Sequence, residues 1–314
     1  LPSVRSRFAF LFAALPLVLL GWASAAQAEG LYSECRGQAS ASPTVILESG
    51  LFGTADDWDW VLDDLAKGGR VCAYDRAGLG LSTARLGGHD VDGITNELAA
   101  LLDRMGEKGP VILAGHSNGA LYAEGFAARW PQRVAGLLYI NGVNSNDLDY
   151  PLLIKDMEAE NRLAQVAVAG VKAGLGPVIA YFLADASDLR RRANGAKQKA
   201  MGRLEHMQVG LEEDLAMIPN MRTVRAQGGS PPSIPTAVIV GATDPKSAVS
   251  QAWREAGQAI VARARTGWLL TADGASHTSP LARDRAYVAA AVKWLRAVHA
   301  ARRPGAAPVQ IPSR

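Results

Sequence analysis

Cysteine is nearly absent. Two thiols, Cys35 and Cys72, in 314 residues are too few for a disulfide-framed scaffold or a cysteine-rich metal module. Charge of one sign is lacking as well: the formal net charge is only +3, which gives no support to a nucleic-acid partner. No cluster of His, Cys, Asp and Glu has metal-ligand spacing, and no glycine-rich loop fits a dinucleotide, so no metal or cofactor is expected. There is no internal repeat. The apolar run at residues 8–22 is short of the ~20 residues that span a bilayer, and Pro16 interrupts it.

What is there reads as an exported globular chain. Residues that are 48% hydrophobic and 20% charged can bury a substantial core. Arg5 and Arg7 precede the apolar run, and Ala26-Gln27-Ala28 follows it with small residues where a signal peptidase reads. Residues 1–28 are therefore expected to be a signal peptide cleaved before Glu29, leaving a secreted or periplasmic protein with no stable membrane insertion. No cysteine at the cleavage point invites a lipid, and no paired arginines mark a folded-export route.

Beyond Glu29, short apolar runs alternate with helical spacing, the pattern of a parallel sheet covered on both faces. Strands are predicted over 44–48, 70–74, 111–114, 136–140, 236–240 and 267–270. Helices are predicted over 58–66, 93–105, 118–130, 247–264 and 283–301, the last with Tyr287, Ala291, Trp294 and Leu295 on one face. Between the fourth and fifth of these strands, the chain carries helical patterns but no convincing strand. A structureless loop of that length is implausible in a compact domain. Residues 145–225 are thus expected to be a helical insertion, bounded by the polar stretch 144–149 and by Gly228-Gly229-Ser230-Pro231-Pro232. The core is assigned to 29–144 and 226–303, and 304–314 to a disordered tail.

Gly115-His116-Ser117-Asn118-Gly119 ends an apolar run and opens a helix. This is G-x-S-x-G in the strand–turn–helix setting of a nucleophile elbow, where a sharp turn raises the serine hydroxyl above the sheet edge. The helix that follows aims its N-terminal N–H groups at negative charge developing beside Ser117.

With the turns after the neighbouring strands, this chain resembles the α/β-hydrolase superfamily. Residues 47–53 (Leu-Glu-Ser-Gly-Leu-Phe-Gly) resemble its oxyanion loop, and residues 75–82 (Asp-Arg-Ala-Gly-Leu-Gly-Leu-Ser) its D-x-x-G-x-G-x-S turn. Gly241-Ala242-Thr243-Asp244 resembles its acid turn, and Ser276-His277 its histidine turn. The resemblance implies a mostly parallel, eight-strand-type sheet with helices on both faces and an inserted helical lid. It also implies a triad in chain order Ser117, Asp244, His277, with Asp147 or Asp149 as the alternative acid. Of the five histidines, only His277 follows a late strand and precedes the last helix. The backbone N–H groups of Leu51 and Asn118 are the expected oxyanion hole, although Ser49-Gly50 stands where relatives carry His-Gly. Asp75 and Arg76 are expected to hold their turn.

The same resemblance makes the strands bearing Cys35 and Cys72 neighbours, which implies a disulfide between them, the alternative being two buried thiols. In the insertion, Met157, Met201, Met207, Met217 and Met221, with Tyr181, Phe182, Leu183 and Leu215, either line an apolar acyl pocket or pack the lid on the core. Arg190, Arg191, Arg192, Lys197, Lys199 and Arg203 read as a solvated face. The expected partner is a small molecule with an apolar acyl group, cleaved through an acyl-enzyme as by an esterase. Lactonase, amidase or aminopeptidase and carbon–carbon hydrolase remain alternatives on the same triad. A haloperoxidase-like enzyme without cofactor and a non-catalytic receptor are alternatives of other classes. An aminopeptidase would need acidic lid residues facing the site, for which Glu158, Glu160, Glu205, Glu212 and Glu213 are available.

Overall fold

The computed structural model describes residues 30–83, 89–185 and 189–302; the expected signal peptide and C-terminal tail lie outside the described residues. Seven strands form one sheet in the order β1-β3-β2-β4-β5-β6-β7. They are β1 (Ser33–Arg36), β2 (Val45–Glu48), β3 (Val71–Tyr74), β4 (Val111–His116), β5 (Val134–Ile140), β6 (Thr236–Ala242) and β7 (Gly267–Asp273). All pairings are parallel except β1 with β3. Against the eight-strand type expected, seven strands are seen among the described residues.

The helices are α1 (Asp59–Ala66), α2 (Val91–Arg104), α3 (Asn118–Arg129), α4 (Pro151–Gly170), α5 (Gly176–Asp185), α6 (Arg191–Met201), α7 (Leu204–Ala226), α8 (Ala248–Arg263) and α9 (Ala286–Ala301). The apolar runs are continuous because the central strands bury both faces, yet their residues divide with period two. Val45, Leu47, Ile112, Ala114, Leu138 and Ile140 pack with Leu62 of α1 and Val288, Trp294 and Leu295 of α9. Ile46, Leu113, Leu137 and Tyr139 face the other way, toward Leu98 of α2, Phe126 of α3 and Ile260 of α8. On α9 the buried face holds Val288, Ala291, Trp294 and Leu295, whereas Tyr287 is exposed, correcting the expected stripe by one residue.

Cys35 lies directly opposite Cys72 in the β1–β3 register, and the two are joined in a disulfide with their Cα atoms 4.0 Å apart. Between β5 and β6 the described chain holds helices and no strand, α4 through α7, the last ending one residue beyond the expected boundary. The stretch Pro151–Leu183 is long and apolar enough to cross a bilayer by composition, but Gly174, at φ 90°, breaks its helical path. Leu163, Val166 and Phe182 there are each 71% exposed.

Sequential strands turn left from β2 to β3 and right from β2 to β4. That reversal leaves a crevice at the carboxyl ends of β2 and β4, the place where open α/β sheets hold ligands.

Candidate active site

Ser117 sits where β4 ends and α3 begins, with φ 53° and ψ −128°. A non-glycine residue held at positive φ carries strain, which the surroundings must over-determine. Here Ser117 N donates to Ile140 O (3.1 Å), and Ser117 O accepts from Ala120 N (3.1 Å) and Val143 N (3.0 Å). The flanking glycines permit the close approach. A Cβ on Gly115 would lie 2.4 Å from Ala120 Cα, and one on Gly119 would lie 2.4 Å from Glu48 O. The turn therefore needs glycine at both positions for backbone clearance.

The loop after β2 meets this elbow, for a Cβ on Gly50 would stand 3.0 Å from Ser117 Cβ. It is fastened from below by Arg76, whose Nη1 donates to Ser49 O (2.5 Å) and whose Nη2 donates to Gly50 O (2.8 Å). The same guanidinium bonds Glu48 Oε1 at 2.7 Å, and both oxygens of Glu213 on α7 at 2.7 and 2.6 Å. Ser49 Oγ donates to Thr54 O (3.1 Å) and accepts from Trp58 Nε1 (2.9 Å). Leu51 follows this pinned pair.

His277 follows β7. Its carbonyl accepts from Asn141 Nδ2 (2.8 Å) and His116 Nε2 (3.0 Å), and the two imidazoles lie 4.7 Å apart. Desolvation by the surrounding protein lowers the His277 pKa to about 4 from 6.5, with no charged neighbour offsetting it. The ring is therefore neutral at neutral pH, with one ring nitrogen unprotonated. His116 is driven well down too, by its own burial first and by the neighbouring His277 second.

Ser117, His277, Asp244 and Leu51 line one cavity of about 360 Å³, with Met157 and Met217 from the insertion and Val238, Val240, Trp253 and Ile260 from the core. A second cavity of about 230 Å³ shares Ser117, His277 and Leu51 with it. Asn118 is fully buried in the first turn of α3, where backbone N–H groups lack intrahelical partners.

Asp244 lies on the wall of the larger cavity, exposed, with Oδ1 accepting from Lys246 N (3.0 Å) rather than from His277. The alternative acids are engaged elsewhere. Asp147 is fully buried, caps Asn144 N (2.9 Å) and is held well above the usual carboxylate range by burial. Asp149 pairs with Arg225 (2.9 Å). Asp75 holds its turn, as expected, by accepting from Ala55 N (2.6 Å) and Leu81 N (2.7 Å); burial pushes it up to about 6.

Several residues acquire roles that motif reading missed. His116, the first x of G-x-S-x-G, secures the His277 carbonyl. Asn141, one residue past β5 at φ 44°, also accepts from Gly241 N (2.5 Å), tying the turn that bears His277 to the end of β6. His206 of the insertion accepts from Gly80 N (3.1 Å) and donates to Phe52 O (3.2 Å). The solvated basic face needs correction: Lys197 is buried and pairs with Asp57 (2.6 Å), while Arg190 pairs with Asp63 (2.6 Å) and lies over the Trp60 ring. The methionines divide between the two expectations. Met157 and Met217 border the cavity, whereas Met201 and Met207 pack within the insertion and Met221 against the core.

The model of the alpha/beta hydrolase family matches residues 45–291. The chain belongs to that family. Over 116 residues it is 35% identical to a bifunctional esterase/perhydrolase of Acinetobacter calcoaceticus, covering 36% of this chain and 40% of that protein. Over 92 residues it is 39% identical to a non-heme chloroperoxidase of Streptomyces lividans, covering 29% and 33%. The matched segments thus span well under half of these relatives. A thermophilic esterase from Thermogutta terrifontis shares the fold, with a TM-score of 0.62 at 21% identity over 86% of this chain and 94% of that one.

Proposed function

We propose that this alpha/beta hydrolase family member is a serine hydrolase that cleaves ester-like bonds through an acyl-enzyme on Ser117. The carrying observation is that the strained elbow presents Ser117 to a cavity also lined by the neutral His277 and by Leu51. His277 takes the proton from Ser117 Oγ as that oxygen attacks the carbonyl carbon. The N–H groups of Leu51 and Asn118 receive the oxyanion. As the intermediate collapses, the leaving alkoxide takes the proton from His277. Water then gives a proton to His277 and attacks the acyl carbon, and the acid departs with Ser117 reprotonated.

Asp244 is the orienting acid in this scheme. It must turn from Lys246 N toward His277, a tightening that substrate binding commonly brings to an apo site. The apolar wall of Met157, Met217, Val238 and Val240 suits an acyl chain, and the four helices between β5 and β6 act as a lid over it. The Cys35–Cys72 bond supports a place outside the reducing cytoplasm, in keeping with the signal peptide read at residues 1–28. Hydrolysis of p-nitrophenyl esters by the wild type, Ser117→Ala and Asp244→Asn tests the assignment. A loss on the order of 10⁴ is expected for the serine variant, and a similar one for Asp244→Asn if it sets the imidazole tautomer. Undiminished hydrolysis by Ser117→Ala refutes the nucleophile.

A further inference from the structure

The cavities beside Ser117 carry a charge imbalance that ester hydrolysis does not use. Asp156 and Glu160, one turn apart on α4, both line the larger cavity, and Glu160 also lines the smaller one together with Asp214 of α7. Against these three carboxylates, Lys197 is the one Lys or Arg among the described residues of either lining, and Asp57 already holds it at 2.6 Å. Asp214 is only 4% exposed, borders the smaller cavity, and its Oδ1 is buried with no hydrogen-bond partner. A buried carboxylate oxygen without a donor is costly, so its counterpart is to be sought in what enters the cavity. Mutual repulsion adds to the imbalance: burial first, then Asp156 and Asp214, push Glu160 up to about 7. The donors are too dispersed for a metal ion, since no group of three or more His, Cys, Asp and Glu among the described residues could hold one. An organic ammonium, a compact cation that can donate three N–H bonds to separate carboxylates, fits such walls.

We propose that Asp214 and Glu160, supported by Asp156, form a subsite for an ammonium group on the substrate, so that the preferred acyl or leaving group carries an amine. This deepens the serine-hydrolase reading by naming a substrate class, and it rests on that reading for the position of the scissile bond. The larger cavity supplies the apolar stem and the shared carboxylate wall the charged end.

The test compares the p-nitrophenyl esters of ε-aminohexanoic and heptanoic acids, which differ by an ammonium in place of a terminal methyl. At about pH 8.5, where these carboxylates are ionised, the wild type is expected to favour the amino ester by about tenfold or more in kcat/KM. Each rate is first divided by that of the ester's uncatalysed hydrolysis. Added salt should shrink the preference, and Asp214→Asn and Glu160→Gln should each bring it toward unity. A wild-type ratio at or below one overturns the proposal, and that measurement requires no variant to fold. Calorimetry of hexylamine against hexanol on the wild type separates the subsite from the nucleophile. Tighter binding of the amine upholds the subsite even if Ser117→Ala still hydrolyses esters, a result that removes only the nucleophile. Equal binding of the two overturns the subsite.

Discussion

Replacing Arg76 with Gln tests whether the loop after β2, the proposed source of an oxyanion donor, is held by one buried cation. Its guanidinium is 2% exposed and lies between Glu48 and Glu213, at 1% and 0%. Gln at this position removes the charge and leaves two buried carboxylates facing each other. Breaking a buried pair from one side costs about 3–5 kcal/mol, or roughly 6–20 °C in Tm for a domain of this size. The loop should also loosen, because Ser49 O and Gly50 O both lose their donor. If Leu51 N–H then leaves its place, kcat on p-nitrophenyl esters should fall by about 10²–10³, the range for losing one oxyanion donor, with KM moving little. Glu213→Gln is the control: it keeps the Arg76 bonds to both carbonyls and to Glu48, so it should lower Tm while sparing most of kcat. Measured well below each variant's Tm, an Arg76→Gln protein with wild-type kcat would refute the claim that this cation positions the loop.

Removing the disulfide, by Cys35→Ala with Cys72→Ala, opens a link between residues 37 positions apart and should cost about 4 kcal/mol of chain entropy. Thermal unfolding reads it as a Tm fall of roughly 8–16 °C, and a change of only a degree or two would contradict that account. His206 gives a pH dependence of known sign. It is fully buried, and desolvation lowers its pKa from 6.5 to about 4, so the unfolded chain binds the proton that the fold refuses. Its contribution is therefore present above about 6.5 and is lost as pH falls toward about 4. Asp75 and Asp214, both pushed up to about 6 by burial, bind protons in the fold and act in the opposite sense. Comparing denaturant midpoints of the wild type and His206→Asn isolates the histidine: the wild type should lose stability more steeply on acidification, and parallel curves would refute the assignment.

The core was legible because its signals are local. Each central strand is an uninterrupted apolar run, and each turn at a strand's carboxyl end carries a short motif. The elbow's geometry follows from two glycines whose absent Cβ atoms would collide with backbone. β4 and β6 run two residues past their expected ends and β7 three, through Gly115-His116, Gly241-Ala242 and Thr271-Ala272-Asp273, where glycine or polar residues continue a ladder that hydropathy alone does not mark, while β5 begins two residues early at Val134. The disulfide followed from a family resemblance rather than from cysteine spacing, since two cysteines have no pattern of their own.

The insertion was less legible for a physical reason. A helix there reads the same whether a polar residue faces solvent or the serine. Glu213 and Lys197 look like ordinary surface charge, yet they pair with Arg76 and Asp57 across 137 and 140 residues of chain. His206 reaches Phe52 across 154. These three contacts bind the insertion to the loops after β2 and β3, so it cannot move as an independent cap without exposing buried charge to a new environment. The two loops and the insertion must then shift together or not at all. A cavity whose serine side is held by strand-end turns, and whose substrate side is held by long-range charge pairs, can change its specificity while its chemistry stays the same. Exchanging Asp214 or Glu160 is directed at what the wall attracts, whereas altering Arg76 or Glu48 disturbs the loop that carries Ser49, Gly50 and Leu51.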